Sequence, residues 1–254
     1  MSWIRGYYRL FFCGLTLGMA GWLIIMASWL PGRIKDIRLS MWVTQGVVRL
    51  VLLILNVRVH CSEPEKVRRH KGFVFGNHVS YLDILTLVSV TPVRFLAKEE
   101  VRTMPIIGRI AQAIGCVFVK REDKKSRAEA REALAQVDRF PPVVLFVEGK
   151  RGPGHELLPF RYGAFEIVTQ GSAPFLPCVI RYDRPEVAIW HRSENIMNAL
   201  WRLARRSGPL RAEIIPLAVV EPTPADDPVQ LSLATHAEMT AVWQQWPLEH
   251  ARTG

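Results

Sequence analysis

A histidine and an aspartate stand five positions apart in GNHVSYLDIL, residues 76–85. An imidazole held by a carboxylate is a general-base arrangement. The acid fixes the tautomer and stabilises the imidazolium, while the other ring nitrogen takes a proton from an incoming hydroxyl. On a regular helix, positions five apart point about 140° away from each other. Ser80 removes the difficulty. Ser80-x-x-Asp83 before an apolar run reads as a capping box, so a helix starts at Tyr81 with Ser80 as its N-cap. His78 then lies on the preceding turn, outside helical phase, and can fold back over the first turn to meet Asp83. Taken alone, so short a pattern also describes a capping aspartate and a surface histidine that never meet.

A protein nucleophile is missing from the neighbourhood. There is no G-x-S-x-G, and Ser80 is engaged as a cap. The substrate is therefore expected to bring the hydroxyl. Metal chemistry finds no spacing either: His155-Glu156 lacks the second histidine of H-E-x-x-H, and Cys13, Cys61, Cys116 and Cys178 form no pair. The cysteines read as small core residues in a reducing compartment.

The second constellation is FVEGKRGPG, residues 146–154, directly after the apolar run VVLFV. Glu148, Gly149, Lys150 and Arg151 fall at a strand's carboxyl end, where α/β folds place ligands. The glycines let backbone amides approach an anion, and an arginine grips phosphate with two donors. A solvated basic turn has the same composition. It is not a Walker A loop, because Val144 stands where the first glycine would be.

The elements that must carry these residues are short β-rich runs alternating with helical ones. Strands are expected at 57–60, 73–76, 93–97, 116–120, 143–147, 174–180, 186–190 and 212–220. Helices are expected at 81–89, 105–113, 124–137, 163–170, 193–204 and 231–246. The alternation predicts an α/β fold: a mixed, largely parallel sheet covered by helices.

In four ordered blocks the residues resemble the glycerolipid acyltransferases, most closely the 1-acyl-sn-glycerol-3-phosphate (lysophosphatidate) acyltransferases. His78-x4-Asp83 matches the first block and Phe146-x-Glu148-Gly149-x-Arg151 the third. Residues 96–123 resemble the second through Lys98, Glu100, Pro105, Gly108, Gly115 and Arg121. Residues 161–180 resemble the fourth through Gly163 and Pro177. The resemblance covers roughly Gly72 to Ile180. Within the third block, Val147, Lys150 and Gly152 stand where the family usually has proline, threonine and serine. That block is the one linked with acceptor binding.

The resemblance implies transfer of an acyl group from acyl-CoA or acyl carrier protein to the sn-2 hydroxyl of lysophosphatidate, giving phosphatidate. No cofactor is implied beyond the thioester co-substrate. His78 is then the base and Asp83 its orienting acid. Arg151 is expected to bind the acceptor phosphate with help from Lys98, and Gly149 to complete the cradle. Glu148 is expected to orient Arg151 or to accept a hydrogen bond from the glycerol. The same chemistry suits glycerol-3-phosphate, another lysophospholipid or a lyso-aminolipid as acceptor. A non-catalytic lipid-binding protein is the rival from another class.

The chain has 254 residues, 49% of them hydrophobic, and a formal charge of +10. Composition excludes disorder, and the charge suits nucleic acid, anionic membrane or phosphorylated substrates. Residues 10–30 carry no charge and would span about 31 Å as a helix, near a bilayer's hydrocarbon thickness. The run exceeds a signal peptide's apolar core and lacks a clear cleavage site. A second segment, 39–57, is interrupted by Arg49 and is expected to lie shallowly or pack back on the first. Gly14, Gly18 and Gly21 offer a small-residue face for that packing, or serve no particular interface.

These features predict an N-terminal membrane-embedded helical hairpin with both ends on the cytoplasmic side. Expected units are residues 1–57 as anchor, 58–220 as acyltransferase domain and 221–254 as linker and last helix. The expected location is a bacterial inner membrane or its equivalent, with the catalytic domain facing the cytoplasm. Membrane lipids and the acyl donor are the expected partners. Nucleic acid is not, because the charge is spread along the chain with no stacking-aromatic module. Basic runs at 120–131 (Lys120, Arg121, Lys124, Lys125, Arg127, Arg131) and at Arg202, Arg205 and Arg206 could receive an anionic donor, or simply face solvent and lipid.

Overall fold

The structure is a computed structural model and describes residues 2–30, 32–120, 123–191 and 194–245. It opens with α1 (Ser2–Trp29), a ribbon of β1 (Arg33–Ile34) and β2 (Ile37–Arg38), then α2 (Leu39–Ile54) and β3 (Val57–Cys61). There follow α3 (Pro64–Arg69), β4 (Phe73–Gly76), α4 (Leu82–Val90), β5 (Arg94–Lys98), α5 (Glu99–Arg102), α6 (Ile107–Ala113) and β6 (Val117–Val119). Next come α7 (Lys124–Ala135), β7 (Val143–Phe146), α8 (Tyr162–Gln170) and β8 (Phe175–Tyr182). The chain closes with α9 (Pro185–Ala188), α10 (Ile196–Arg205), β9 (Leu210–Pro216) and α11 (Pro228–Gln244).

Seven strands form one sheet in the order β3-β9-β8-β4-β7-β5-β6. β8, β4, β7, β5 and β6 run parallel to one another, while β9 is antiparallel to β8 and carries β3 with it. This is the mixed, largely parallel sheet that the alternation predicts. Both faces are covered, which is why the central strands read as unbroken apolar runs. Along them the side chains alternate between two cores. Val74, Val144, Cys178 and Ile180 join residues of α2, α4 and α10 on one face. Phe73, Phe75, Leu145 and Phe175 join Leu134, Phe165 and Val168 from α7 and α8 on the other. Phe75 lies 4.5 Å from Phe175 and 5.1 Å from Phe165, ring centre to ring centre. Each such buried ring contributes about 1.5–3 kcal/mol.

Two expectations are corrected. Residues 186–190 do not form a strand: Pro185 opens the short helix α9, and β9 already occupies the edge of β8 that such a strand would need. The glycines at 14 and 18 do not form the helix–helix contact either, since a Cβ on either would meet nothing within 4 Å. α2 packs back on α1, as expected, but through Cys13 and the α2 residues Val48, Val51 and Leu52. Arg49, an oddity in an apolar segment, donates to the Ser89 carbonyl at the end of α4, 2.9 Å away, and Gln45 Nε2 reaches the same oxygen. A cation at a helix's carboxyl end is electrostatically well placed. α3, α5 and the β1–β2 ribbon were not foreseen, and Ser193, Trp246 and the residues after it lie outside the described ones.

α1 is fastened to the globular body at two places. Near its start, Arg9 donates to the carbonyls of Ala204 and Arg206, each at 3.0 Å, and Arg5 donates to Arg206. Trp201 of α10 packs between Trp3 and Tyr7, with ring centres 5.4 and 4.9 Å away. Further along, Gly21 lies against Ile106. The opposite side of the helix, including Phe11, Leu15, Trp22 and Met26, is exposed. α1 is long and apolar enough to cross a membrane, with a mean hydropathy of 2.0 over its best window.

Candidate active site

Because β4 and β7 are parallel neighbours, the turns that leave them emerge side by side at the carboxyl ends of the central strands. Gly76-Asn77-His78 leaves β4. Asn77 is fully buried and extends the strand: its Nδ2 donates to the Ile180 carbonyl (3.0 Å) and its Oδ1 accepts from the Ile180 amide (2.7 Å). The chain then enters α4 at Leu82, one residue later than expected. Tyr81 is therefore the N-cap residue in place of Ser80, and only half of the expected box forms, since the Asp83 amide donates to the Ser80 carbonyl and not to its hydroxyl. Ser80 Oγ accepts from the Leu82 amide, and the Ser80 amide donates to Asp83 Oδ2 at 2.8 Å. Ser80 Oγ also donates to the Ala188 carbonyl and is fully buried, so it is no nucleophile.

His78 and Asp83 meet. Nδ1 of His78 lies 2.8 Å from Oδ2 of Asp83. A carboxylate can only accept, so Nδ1 carries the hydrogen and Nε2 presents its lone pair. The same Oδ2 accepts the Val79 amide at 2.7 Å. The imidazole stacks on Phe146, ring centres 4.2 Å apart and planes 17° apart, and Phe95 stacks behind Phe146. The aspartate is wholly buried, whereas the histidine side chain keeps 19% of its surface exposed. The histidine therefore keeps a solvent-exposed side and its partner does not.

The turn after β7 supports the histidine from behind. Glu148 Oε1 accepts the His78 amide at 2.9 Å, and Oε2 accepts the Leu158 amide at 3.0 Å. In return the Gly152 amide donates to the His78 carbonyl at 2.7 Å. Glu148 is 1% exposed, which leaves no face for a glycerol hydroxyl, so its place is behind the site and not in the acceptor pocket. Burial pushes its carboxyl up to about 7 against the pull of the two amides. A Cβ at Gly152 would come within 2.7 Å of Glu148 Oε2, so any side chain there requires the carboxylate to shift. Gly149 has φ +69°, a turn conformation suited to glycine. Its amide donates to the Phe146 carbonyl, which closes the turn instead of a phosphate cradle.

The guanidinium of Arg151 lies 3.6 Å from the centre of the Trp190 ring. Such a cation–π contact steadies the charge without neutralising it. Trp190 is itself hooked to the first turn, since its amide donates to the Val79 carbonyl at 3.1 Å. Lys98 is exposed at the carboxyl end of β5, the same end of the sheet as the two turns. Of the basic runs, the second is largely spent inside the protein. Arg206 donates to the carbonyls of Leu203, Leu55 and Asn56, and Arg202 pairs with Glu194 and the carbonyls of Val187 and Ile189. In the first run, Arg131 pairs with Glu166 at 2.6 Å. Arg121 lies outside the described residues.

Tyr182, whose hydroxyl donates to Asp83 Oδ1, and Trp190 carry no signal in the sequence, whereas Asn77 and Phe146 lie inside the two motifs without a role having been assigned to them.

The histidine–aspartate pair and the arginine turn thus stand together at the carboxyl ends of two neighbouring central strands, and residues 58–181, just under half of the chain, match the family model described as Acyltransferase. The chain is 30% identical over 135 residues to a 1-acyl-sn-glycerol-3-phosphate acyltransferase of Neisseria meningitidis serogroup B, the match taking in 53% of each chain. It is 28% identical over 235 residues to a lyso-ornithine lipid O-acyltransferase of Pseudomonas aeruginosa, across 88% of this chain and 85% of that one. The chain spans about half the length of the first relatives it matches. Its fold resembles the crystal structure of the lysophosphatidate acyltransferase PlsC from Thermotoga maritima. The TM-score is 0.69 with 97% of both chains covered, at 16% identity.

Proposed function

We propose that the protein moves an acyl group from a thioester to the free hydroxyl of a lysolipid, with His78 as general base. The observation that carries this reading is the 2.8 Å contact of His78 Nδ1 with the buried Asp83, which engages one ring nitrogen of a partly exposed histidine and leaves Nε2 for a substrate proton. Nε2 takes the hydroxyl proton as that oxygen bonds to the thioester carbonyl carbon. Asp83 stabilises the resulting imidazolium. The tetrahedral intermediate then expels the thiolate, breaking the C–S bond, and the imidazolium returns its proton to the sulfur. No covalent acyl-enzyme forms. Base catalysis of this kind supplies on the order of 10²–10⁴-fold, and positioning of the two substrates supplies the remainder.

Lysophosphatidate is the first acceptor, giving phosphatidate, with Arg151 on its phosphate and Lys98 assisting from the end of β5. Acyl-CoA or acyl carrier protein is the donor. A second reading, transfer to a lyso-aminolipid, is favoured by the Pseudomonas relative, whose match extends over most of both chains.

The exposed side of α1 supports membrane association. Its apolar stripe runs on into Met104, Ile106 and Ile107, next to the contact of Ile106 with Gly21. With the inner side of α1 fixed to α2 and α10, the helix lies along one leaflet and both its ends stay on the cytoplasmic side. Lipid acceptor and lipid product then remain in the bilayer throughout.

The test is an acceptor panel on the full chain in vesicles. Labelled acyl-CoA and acyl carrier protein are offered with lysophosphatidate, glycerol-3-phosphate and lyso-ornithine lipid, for wild type and for His78→Ala. Acylated lysolipid is expected from wild type, with the rate lowered on the order of 10²–10⁴-fold in His78→Ala. Equal background transfer by both proteins overturns the catalytic reading.

A further inference from the structure

Asp83 is held from a direction that none of the sequence blocks includes. While Oδ2 takes His78 Nδ1 and two backbone amides, Oδ1 accepts the phenolic hydroxyl of Tyr182 at 2.6 Å. Tyr182 is the last residue of β8, 99 positions from Asp83 and one beyond the stretch that the family model matches. A distance of 2.6 Å from a hydroxyl to a carboxylate is in the range of short, charge-assisted hydrogen bonds. Both partners are largely or wholly shut off from water: Asp83 is 0% and Tyr182 7% exposed.

We propose that Tyr182 is a positioning residue that sets the basicity of the His78–Asp83 pair by donating to the oxygen of Asp83 that faces away from the imidazole. The inference rests on the reading of His78 as base only for its catalytic meaning. The tuning itself is a property of the resting protein.

The physical argument has two parts. A carboxylate that accepts a short hydrogen bond on one oxygen spreads less charge onto the other, so it stabilises a neighbouring imidazolium less. The phenol also fixes the rotation of the carboxylate, because Oδ1 cannot turn toward His78 without abandoning a buried donor. Burial, together with the adjacent negative charge, pushes the Tyr182 phenol well above its ordinary value, so it remains a donor throughout the working range.

Other ionisable groups around the pair are few. Glu148, from the turn after β7, acts on both His78 and Asp83. Tyr81, at the start of α4, acts on Tyr182 and is itself influenced by Arg202, Arg206 and Glu194 of the α10 region. None of these replaces the hydrogen that Tyr182 gives to Oδ1.

The experiment is a ¹⁵N-histidine NMR titration of the full chain in detergent micelles. The His78 signal is assigned from its loss in His78→Ala. Tyr182→Phe keeps the ring and removes the donor, and the His78 titration is expected to move to higher pH by about 0.5–1 unit. Tyr182→3-fluorotyrosine keeps the fold and makes the phenol a stronger donor, so it is expected to move the titration the other way. Unmoved His78 titrations in the folded variants overturn the proposal, and the fluorinated variant alone decides the matter if Tyr182→Phe does not fold. Because the reading is spectroscopic, it stands apart from the acceptor panel. An inactive His78→Ala with an unmoved titration in the Tyr182 variants would leave the enzyme reading intact and sink only this inference.

Discussion

The turns leaving β4 and β7 lie side by side, yet they are built in opposite ways. The central contact of the first is made within its own sequence: Asp83 accepts the two amides before it and grips the histidine five residues back. The second borrows its order. Glu148 closes on amides from His78 and Leu158, and Arg151 rests on Trp190 from beyond β8. One turn therefore forms its histidine–aspartate pair from local parts, and the other takes its order from distant ones.

If that division holds, breaking the local turn costs most. Asp83→Asn keeps the shape but gives up one accepting oxygen and turns an amide toward groups that themselves donate. Turnover is expected to fall on the order of 10²–10⁴-fold, as it does when a base loses its orienting acid, with kcat and kcat/KM falling together. Steady-state kinetics on vesicles measure this. A variant within a few-fold of wild type would show that the acid does not orient the base.

The borrowed turn is expected to yield less. Glu148→Gln puts an amide NH₂ against one of the two N–H donors, so the His78 backbone loses part of its support and kcat drops about 10–100-fold. The same residue carries a pH signature. Its folded carboxyl is raised to about 7, so the native protein holds a proton that the unfolded chain releases from about 4.3 upward. Its contribution to stability is greatest below that window and declines as pH climbs through it, by on the order of 3 kcal/mol in total. Denaturant unfolding between pH 4 and 8 should show this slope in wild type and not in Glu148→Gln. Identical slopes would place the carboxyl in a wetter site than the structure gives it.

The smallest effect is expected where the turn only steadies a charge. Trp190→Leu removes the aromatic face beneath Arg151, a contact worth about 0.5–2 kcal/mol. The KM for lysophosphatidate is expected to rise about 3–10-fold with kcat nearly unchanged. A selective loss of kcat would instead assign Trp190 to the first turn, through its bond to Val79.

The same contrast explains what could be read from the chain. Ser80-x-x-Asp83 announces a turn within six residues, and the apolar runs at 73–76 and 143–147 announce the strands beside it, because those preferences are local. The partners that complete the site come from β8 and from the segment behind it. Tyr182 lay just past the expected strand end at Ile180. Residues 186–190 looked like a strand because a short apolar run has no period of its own. The segment is irregular for a reason: the Ala188 carbonyl and the Trp190 amide tie it to the turn after β4. Glu148 misled for a related reason. Its charge suggested a ligand contact, but only the three-dimensional closure shows that backbone amides use both its oxygens.

One consequence follows from Arg49 and its hold on Ser89. The amphiphilic N-terminal pair is not a tether that could be clipped away: α2 roofs the helix whose first turn carries Asp83, and Val48, Val51 and Leu52 share that helix's apolar cluster with Leu82 and Leu87. Whoever wants a water-soluble form of this protein must recolour the outward stripe of α1 with charge and leave both helices in place. Cutting at residue 57 would strip the lining from the helix that carries Asp83.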